Sequence, residues 1–165
     1  MKYLKISFII FFIFVYGCAT DVIYVDKGKQ IDPEDIPLNK KIVFEVHDEY
    51  KKNPITCLAI YPFQFSSKID ADEKEKENIR KIFYAYISPL PIEDVELSRI
   101  NYLKDKFPED NFGKLTSREN CNSYFIGKIN VLKISSFAVV SKNSIGGTFA
   151  IYNSKNKNLV WEASH

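Results

Sequence analysis

The pattern of apolar and polar residues divides the chain into three parts. Residues 6–16 form a short apolar run close behind two lysines, and residues 18–41 are polar without sustained periodicity. Residues 42–50 alternate enough for a strand or a short helix, and the pattern does not decide between the two. From residue 55 onward, apolar residues recur at strand or helical spacing. We therefore expect the folded domain to occupy residues 55–165.

A strand followed by a helix opens this domain. Residues 55–63 are a continuous apolar run, which is typical of a strand buried on both faces. Asp70 or Asp72 can then cap a helix whose start is acidic and whose end is basic. Apolar residues follow at i, i+3, i+4, i+7 and i+8, namely Ile79, Ile82, Phe83, Tyr86 and Ile87. This spacing places them on one side of the helix, which we expect to cover a sheet.

The remaining pattern adds one short strand, two helices and a series of strands. A strand at about residues 92–97 precedes a helix that ends before Pro108. A capping-box pattern then predicts a brief helix over residues 116–122. Segments rich in β-branched and aromatic residues follow, and turn-forming residues at 143–147 and 153–158 separate the later strands.

The order of these elements predicts the fold class. It reads β-α-β-α-α-β-β-β, which indicates an α/β (α+β) fold. We expect a mixed β-sheet of about five strands with two or three helices packed on it. The chain length favours one domain.

The N-terminal apolar run has the pattern of a signal peptide. A membrane-spanning helix needs about 20 apolar residues, and this run has the length of a signal-peptide core instead. The junction Val15–Cys18 resembles the lipobox of bacterial lipoproteins, in which a small residue precedes a cysteine that is lipidated and becomes the new N-terminus. This resemblance predicts residues 1–17 as a lipoprotein signal peptide and Cys18 as the lipidation site. The alternatives are an ordinary signal peptide before a chance cysteine, or an uncleaved anchor.

The predicted lipid anchor implies a location for the protein. Several acyl chains, such as palmitate, on one cysteine would hold the protein at a membrane, since a single chain binds only marginally. Lipoproteins kept at the inner membrane usually have aspartate directly after the cysteine, whereas Ala19 follows Cys18 here. The resemblance thus implies the outer membrane, with the domain facing the periplasm. Residues 18–54 would form a polar tether that could include a short strand.

The charge balance narrows the choice of partners. The predicted signal peptide holds two of the 23 basic residues and none of the 21 acidic residues, so the mature chain carries 21 of each sign. This balance gives no indication of nucleic acid as a partner.

Cys57 and Cys121 could form a disulfide in an oxidising compartment. The alternative is two separately buried small apolar residues.

Three sequence blocks resemble one family. They are the strand end Ala59–Phe63, the stretch Asn122–Ile129 and the closing stretch Asn158–Ala163. Together with the lipobox, they are similar to a family of bacterial envelope lipoproteins that includes a neisserial surface antigen and to which peptidoglycan binding is attributed. More distantly, they resemble the curli-export lipoprotein and the amino-terminal domain of the Tol-system propeller protein.

Two features depart from the family pattern. Asn122–Ser123 stands where the family usually has an aspartate. The chain also ends at His165, where relatives continue through another helix or strand. One expectation is therefore a domain shortened at its C-terminus.

Gly127 and Trp161 can be interpreted without the family. A glycine within a strand predicts a bulge or the close packing of a helix against the sheet. Trp161, the only tryptophan, alternates with Val160 and Glu162, so we expect it to face the core. The alternative is a tryptophan that binds a partner.

Catalytic and cofactor-binding patterns are weak in this sequence. The adjacent side chains of His47, Asp48 and Glu49 diverge in a strand, which predicts a solvated charged patch. Cysteines and histidines do not have metal-ligand spacing, so we expect neither a metal nor a cofactor. Other candidates lie in predicted loops or turns, or lack the framing of a known motif: Glu34–Asp35, Ser66–Ser67, Glu109–Asp110 and Gly146–Gly147.

Three classes of function remain. The first is a non-catalytic interaction or assembly module in outer-membrane or export-apparatus organisation, with envelope proteins as partners and homo-oligomerisation through exposed sheet edges. The second is a peptidoglycan-binding lipoprotein, which the family resemblance implies. The third is a periplasmic hydrolase. The weak catalytic patterns argue against the third class, and no aromatic groove or acidic cluster in the sequence demonstrates the second. We therefore favour the first class and do not expect an enzyme.

Overall fold

The protein is built around one mixed β-sheet. A computed structural model describes residues 23–29, 40–137 and 140–165. The strands are β1 (Ile23–Asp26), β2 (Lys41–Val46), β3 (Cys57–Ile60), β4 (Gln64–Phe65), β5 (Glu93–Val95), β6 (Ser123–Phe137), β7 (Val140–Asn153) and β8 (Leu159–Ser164). The helices in the described ranges are α1 (Asp48–Lys52), α2 (Glu73–Ile87), α3 (Leu97–Lys106) and α4 (Phe112–Arg118). No helix in these ranges has the length and apolar character needed to cross a bilayer.

The strand order shows how parallel and antiparallel pairs combine. The order is β1-β2-β8-β7-β6-β3-β5, and β4 pairs with β6 beside β3. β3 runs parallel to β5 and β6, whereas β6, β7, β8 and β2 form successive antiparallel pairs. The predicted α/β (α+β) class with a mixed sheet is confirmed, and the sheet has more strands than the predicted number of about five.

The sheet begins before the predicted start of the domain at residue 55. β2 pairs antiparallel with β8, and β1 pairs parallel with β2. Glu49 in α1 accepts hydrogen bonds from the side-chain amides of Asn156 and Asn158, more than 100 residues away. Because these partners are so distant in the sequence, the local pattern of residues 18–54 did not reveal that part of this stretch belongs to the sheet.

Helix α2 starts at Asp72, one of the two predicted caps. The Asp72 carboxylate accepts a hydrogen bond from the Glu75 amide at 2.7 Å, and the Glu75 carboxylate accepts one from the Asp72 amide at 3.0 Å. This reciprocal capping box satisfies two backbone donors that a helix start leaves free.

The buried face of α2 is narrower than the spacing predicted. Ile79 is buried, and Phe83 and Ile87 pack beside it against the sheet. Ile82 and Tyr86, however, are 49% and 79% exposed. The stripe that covers the sheet therefore follows positions 79, 83 and 87, one turn apart, and the two other residues point away from it.

Helix α4 begins earlier than the predicted helix at residues 116–122. Asn111 provides the cap, because its side-chain oxygen accepts a hydrogen bond from the Lys114 amide at 3.1 Å.

Thr116 lies fully buried in the helix, and its hydroxyl is 3.0 Å from the Tyr61 hydroxyl. Burial raises the pKa of Tyr61 to about 12, which keeps this phenol neutral.

The predicted turn at residues 143–147 is wrong, since this stretch lies within β7. β6 and β7 stay paired as far as Phe137 and Val140. A side chain at Gly147 would meet the Lys128 carbonyl oxygen at 2.3 Å, and the Gly147 amide donates to the His165 carbonyl at 2.8 Å. Glycine is required here because two backbones approach closely. Since turns also require glycine, the sequence alone does not distinguish the two cases.

The core consists of two buried clusters, one on each side of the sheet. On the side that we call the α2 face, it contains Leu58, Ile60, Phe63, Ile79, Phe125 and Ile129. On the opposite side, the α3–α4 face, it contains Cys57, Ala59, Tyr61, Val95, Ile100, Leu103, Leu115, Cys121 and Tyr124. β3 supplies alternate residues to both clusters, which fits the run of apolar residues expected of a doubly buried strand.

The starts of β3 and β6 are fastened together in two ways. Cys57 and Cys121 form a disulfide, with 5.1 Å between their Cα atoms. The side-chain oxygen of Asn122 accepts a hydrogen bond from the Cys57 amide at 3.1 Å, and its amide group donates to the Pro54 carbonyl at 2.8 Å. An aspartate could accept the first bond but could not donate the second.

Candidate functional site

An open apolar groove lies on the α2 face, beside the helix. Two cavities of about 540 and 510 Å³ follow the strip of sheet formed by β2 and β8. They share Ile87, Phe125 and Trp161 as lining residues and therefore adjoin each other. We call this surface the apolar groove. Its other main lining residues are Tyr24, Ile42, Phe44, Val46, Tyr50, Leu90, Phe83, Phe149 and Ile151.

The floor of the groove is a packed set of aromatic rings. Phe149 lies 5.0 Å from Phe83 and stacks on Phe125 at 5.9 Å between ring centroids. A side chain at Gly127 would meet the Phe149 ring at 2.9 Å and the Phe63 ring at 3.0 Å. The bulge or closely packed helix predicted at Gly127 is therefore not found there: its neighbours are rings of β7 and of the segment after β3, and the register shift lies at Ile129–Val131. These contacts pack the floor closely.

Trp161 lies at the centre of the groove. It is opposite Ile151 on β7 and opposite Val46 on β2. Its ring packs against the buried cluster of the α2 face and is half-buried, and it lines both cavities. Trp161 can therefore face the core, as expected, and also offer a surface to a partner, which was the alternative.

The rim of the groove is exposed to solvent. Tyr24 is 66% exposed, Leu90 51%, Val46 48% and Tyr50 45%. Single exposed apolar residues are common, but a contiguous exposed apolar surface marks an interaction site. The alternation of Ile42, Phe44 and Val46 along β2 was the available sequence signal, because alternate residues of a strand share one face.

Helix α1 is fixed at one end of the groove by a buried carboxylate. Glu49 is 8% exposed and accepts hydrogen bonds from the side-chain amides of Asn53, Asn156 and Asn158 at 2.7 to 2.9 Å. Hydrogen bonds from Asn156 and Asn158, followed by that from Asn53, lower the pKa of Glu49. This network positions the neighbouring Tyr50 at the rim.

The wall formed by α2 is fastened to the sheet by Arg80. Its side chain is fully buried, and its guanidinium donates two hydrogen bonds to the Ile60 carbonyl at 3.1 and 2.8 Å. It also donates to the side-chain oxygen of Asn101 at 2.7 Å and pairs with Glu77 at 3.2 Å. Burial lowers the pKa of Arg80, and these partners compensate for the desolvation of its charge.

The sequence-predicted site residues do not assemble into one site. Cys18 and Glu34–Asp35 lie outside the described residues, and Cys57 and Cys121 are joined beside the α3–α4 face. His47 precedes α1, Asp48 pairs with Lys51 at the surface, and Glu49 is buried instead of lying in a solvated patch. Asp110 pairs with Lys114 and Arg118, which lowers its pKa.

Comparison with known proteins identifies similar folds. No protein-family model and no curated protein matches the sequence. The structure is similar to lipoprotein GNA1162 from Neisseria meningitidis, with a TM-score of 0.50 and 10% identity over 67% of this chain and 80% of that chain. At this identity the similarity shows a shared fold, which is that of a neisserial lipoprotein.

Two further solved structures are more distant. The C-terminal domain of LpoB from Salmonella enterica has a TM-score of 0.44 and 10% identity, over 72% of this chain and 88% of that chain. The PelC dodecamer from Paraburkholderia phytofirmans has a TM-score of 0.43 and 11% identity, over 66% of this chain and 68% of that chain.

Proposed function

We propose that this protein is a lipid-anchored envelope protein that acts as a non-catalytic interaction module. Its apolar groove binds an amphipathic helix of another envelope protein. The observation that carries this proposal is the apolar groove, which consists of two adjoining cavities with an exposed rim. The fold similarity to a neisserial lipoprotein supports the assignment to the cell envelope.

The shape and chemistry of the groove favour a helix as the occupant. The lining is almost entirely apolar, so the bound surface must be apolar as well. The groove is elongated, because two cavities join at Ile87, Phe125 and Trp161. Its rim is open to water, which suits a helix that buries one face and keeps the other solvated. An acyl chain is apolar on every side, so it would fit an enclosed tunnel better than this open groove.

The proposed anchor places the groove near a membrane. Tyr24 lines the groove six residues after Cys18, and six residues of extended chain reach about 20 Å. If Cys18 carries the lipid, the groove is held close to the bilayer surface. The partner is then an envelope protein whose helix lies near that membrane, which we propose to be the outer membrane seen from the periplasm.

Photo-crosslinking of the full chain in the cells that produce it tests the groove. A photoreactive amino acid replaces Val46 in the groove or, as the control, Tyr86 on the outer side of α2. We expect Val46 to give discrete adducts with a protein segment whose apolar residues recur at helical spacing, and Tyr86 to give none with that segment. Adducts with lipid alone, or recovery only with sedimented peptidoglycan, would contradict the proposal.

A binding titration then tests the captured segment directly. A synthetic peptide of that segment is added to the purified protein, and the fluorescence of Trp161 reports occupancy of the groove. Val46→Glu places a carboxylate opposite Trp161 and should weaken binding about tenfold or more, which is about 1.4 kcal/mol. Tyr86→Glu should bind like the parent. Equal weakening by both variants would exclude the groove as the binding surface.

Mass spectrometry of the mature N-terminus tests the anchor separately. We expect a lipid-modified Cys18 and no residues 1–17. Unmodified Cys18 would remove the anchor from the proposal without affecting the groove.

A further inference from the structure

A second group of chemically distinctive residues lies on the opposite side of the same strands. Glu45 on β2 is directly opposite Glu162 on β8, and His47 follows two residues after Glu45. One nitrogen or oxygen atom from each of the three side chains lies within 4.8 Å of the others. We call these residues the Glu–His cluster. Strand alternation places it on the α3–α4 face, away from the apolar groove.

No hydrogen bond joins the His47 imidazole to the residues that the structure describes. Its Nδ1 lies 3.7 Å from Glu45 Oε1, which is longer than a hydrogen bond. Its Nε2 is buried and has no hydrogen-bond partner among the described residues. The nitrogen that faces Glu45 is Nδ1, so a ligand held between the three side chains would bind there and would leave the buried Nε2 unchanged. A neutral imidazole offers one lone pair, which is suited to a metal ion.

The two carboxylates already hold a cation. Lys27, which follows β1, places its Nζ 2.8 Å from Glu162 and 3.8 Å from Glu45. Lys27 and Glu162 also line a cavity of about 350 Å³ on this face, which leaves room for water beside Glu162. The cluster thus selects positive charge, and its surroundings can admit an ion.

We propose that Glu45, His47 and Glu162 form a binding site for a divalent transition-metal ion, Zn²⁺ in the first place, and that Lys27 competes with the ion for the two carboxylates. One imidazole nitrogen and two carboxylates are a ligand set that zinc accepts, with water completing the coordination. Ca²⁺ and Mg²⁺ prefer oxygen ligands alone, in greater number or with several retained waters.

The geometry requires only side-chain movement. Ligands about 2.1 Å from a tetrahedral ion lie about 3.4 Å from one another. The ligand atoms of the three side chains lie within 4.8 Å of one another, so they must approach by at most about 1.4 Å. Both carboxylates and the imidazole are partly exposed and can make this adjustment. The sequence suggested no site because only Glu45 and His47 are neighbours in the chain, and Glu162 is brought in by the β2–β8 pair.

Isothermal titration of the purified, disulfide-bonded protein with ZnCl₂ tests the proposal. We expect one Zn²⁺ per chain, and no comparable binding of Mg²⁺ or Ca²⁺. Glu162→Gln and His47→Gln should each weaken binding about tenfold or more. Lys27→Met should strengthen binding, because it removes the competing ammonium.

Two variants serve as matched controls. His165→Gln changes the other histidine, and Glu109→Gln changes an exposed acidic residue elsewhere; both should bind Zn²⁺ like the parent. X-ray absorption of the zinc complex should show one imidazole among oxygen ligands. The proposal is overturned if no saturable binding occurs, if His165→Gln weakens binding as much as His47→Gln, or if Lys27→Met weakens it.

The proposed zinc binding at the Glu–His cluster does not depend on the proposed function. The Glu–His cluster and the apolar groove lie on opposite faces, so failure of zinc binding leaves the groove proposal intact. Circular dichroism of each variant separates loss of binding from loss of fold.

Discussion

The two halves of the sheet differ in how their faces are covered. In the closed half, β3, β5 and β6 lie between α2 on one face and α3 and α4 on the other, and side chains such as Ile60, Tyr61 and Ile100 are fully buried. In the open half, β1, β2 and β8 expose an apolar surface at the groove and a charged cluster on the opposite face. We infer that the closed half provides the stability and the open half provides the binding surfaces.

The largest effect is expected from removing the disulfide of the closed half. It closes a loop with a sequence separation of 64 residues. Replacing Cys57 and Cys121 by alanine should lower the free energy of unfolding by about 4 kcal/mol, because the unfolded chain gains freedom. Urea denaturation measures the change, and reduction of the parent protein should lower its stability similarly. Equal midpoints for the oxidised parent and the double variant would show that the pair does not stabilise the fold.

A smaller loss is expected from Arg80→Met. The variant leaves the Ile60 carbonyl and Asn101 without their buried donor, which should destabilise the fold by about 2 to 3 kcal/mol. Arg99→Met is the control, because Arg99 is half exposed and pairs with Glu119 at the surface. That variant should change stability by less than about 1 kcal/mol. Similar losses in both variants would contradict the distinction between a buried and an exposed guanidinium.

The dependence of stability on pH should reveal Glu49, which joins the open half to α1. Its folded-state pKa is lowered, so its contribution is complete above the unfolded pKa of about 4.3 and is lost as pH falls through the folded pKa. We expect Glu49→Gln to reduce stability at pH 7 and to have a progressively smaller effect below about pH 4. Glu109→Gln is the exposed control, and parallel curves for the parent and Glu49→Gln would contradict this role.

The smallest effect on stability is expected at the groove itself. Val46→Glu should change the free energy of unfolding by only about 0.5 kcal/mol, because Val46 is 48% exposed. The same variant should weaken peptide binding about tenfold or more, so stability and binding would separate at one residue. Thermal denaturation beside the fluorescence titration checks this expectation. A large loss of stability would show that the groove belongs to the core.

Sequence periodicity predicted the closed half better than the open half. Residues 55–63 are apolar at nearly every position and mark a doubly buried strand, and the acidic start at Asp72 marks the beginning of α2. The same reasoning placed Gly146–Gly147 in a turn, since glycine serves turns and close backbone contacts alike. It also left residues 42–50 undecided, because a short alternating segment has no local feature that identifies its partner strand.

The sequence by itself determined the α/β (α+β) class, the order of the main elements and the position of α2, because burial leaves a periodic signature in local sequence. The tertiary structure decided that β1 and β2 join the sheet and that Trp161 faces an open groove. It also brought Glu45, His47 and Glu162 together. These features depend on the pairing of β2 with β8, whose residues are more than 100 positions apart, and such pairing leaves no mark in the local pattern of either strand.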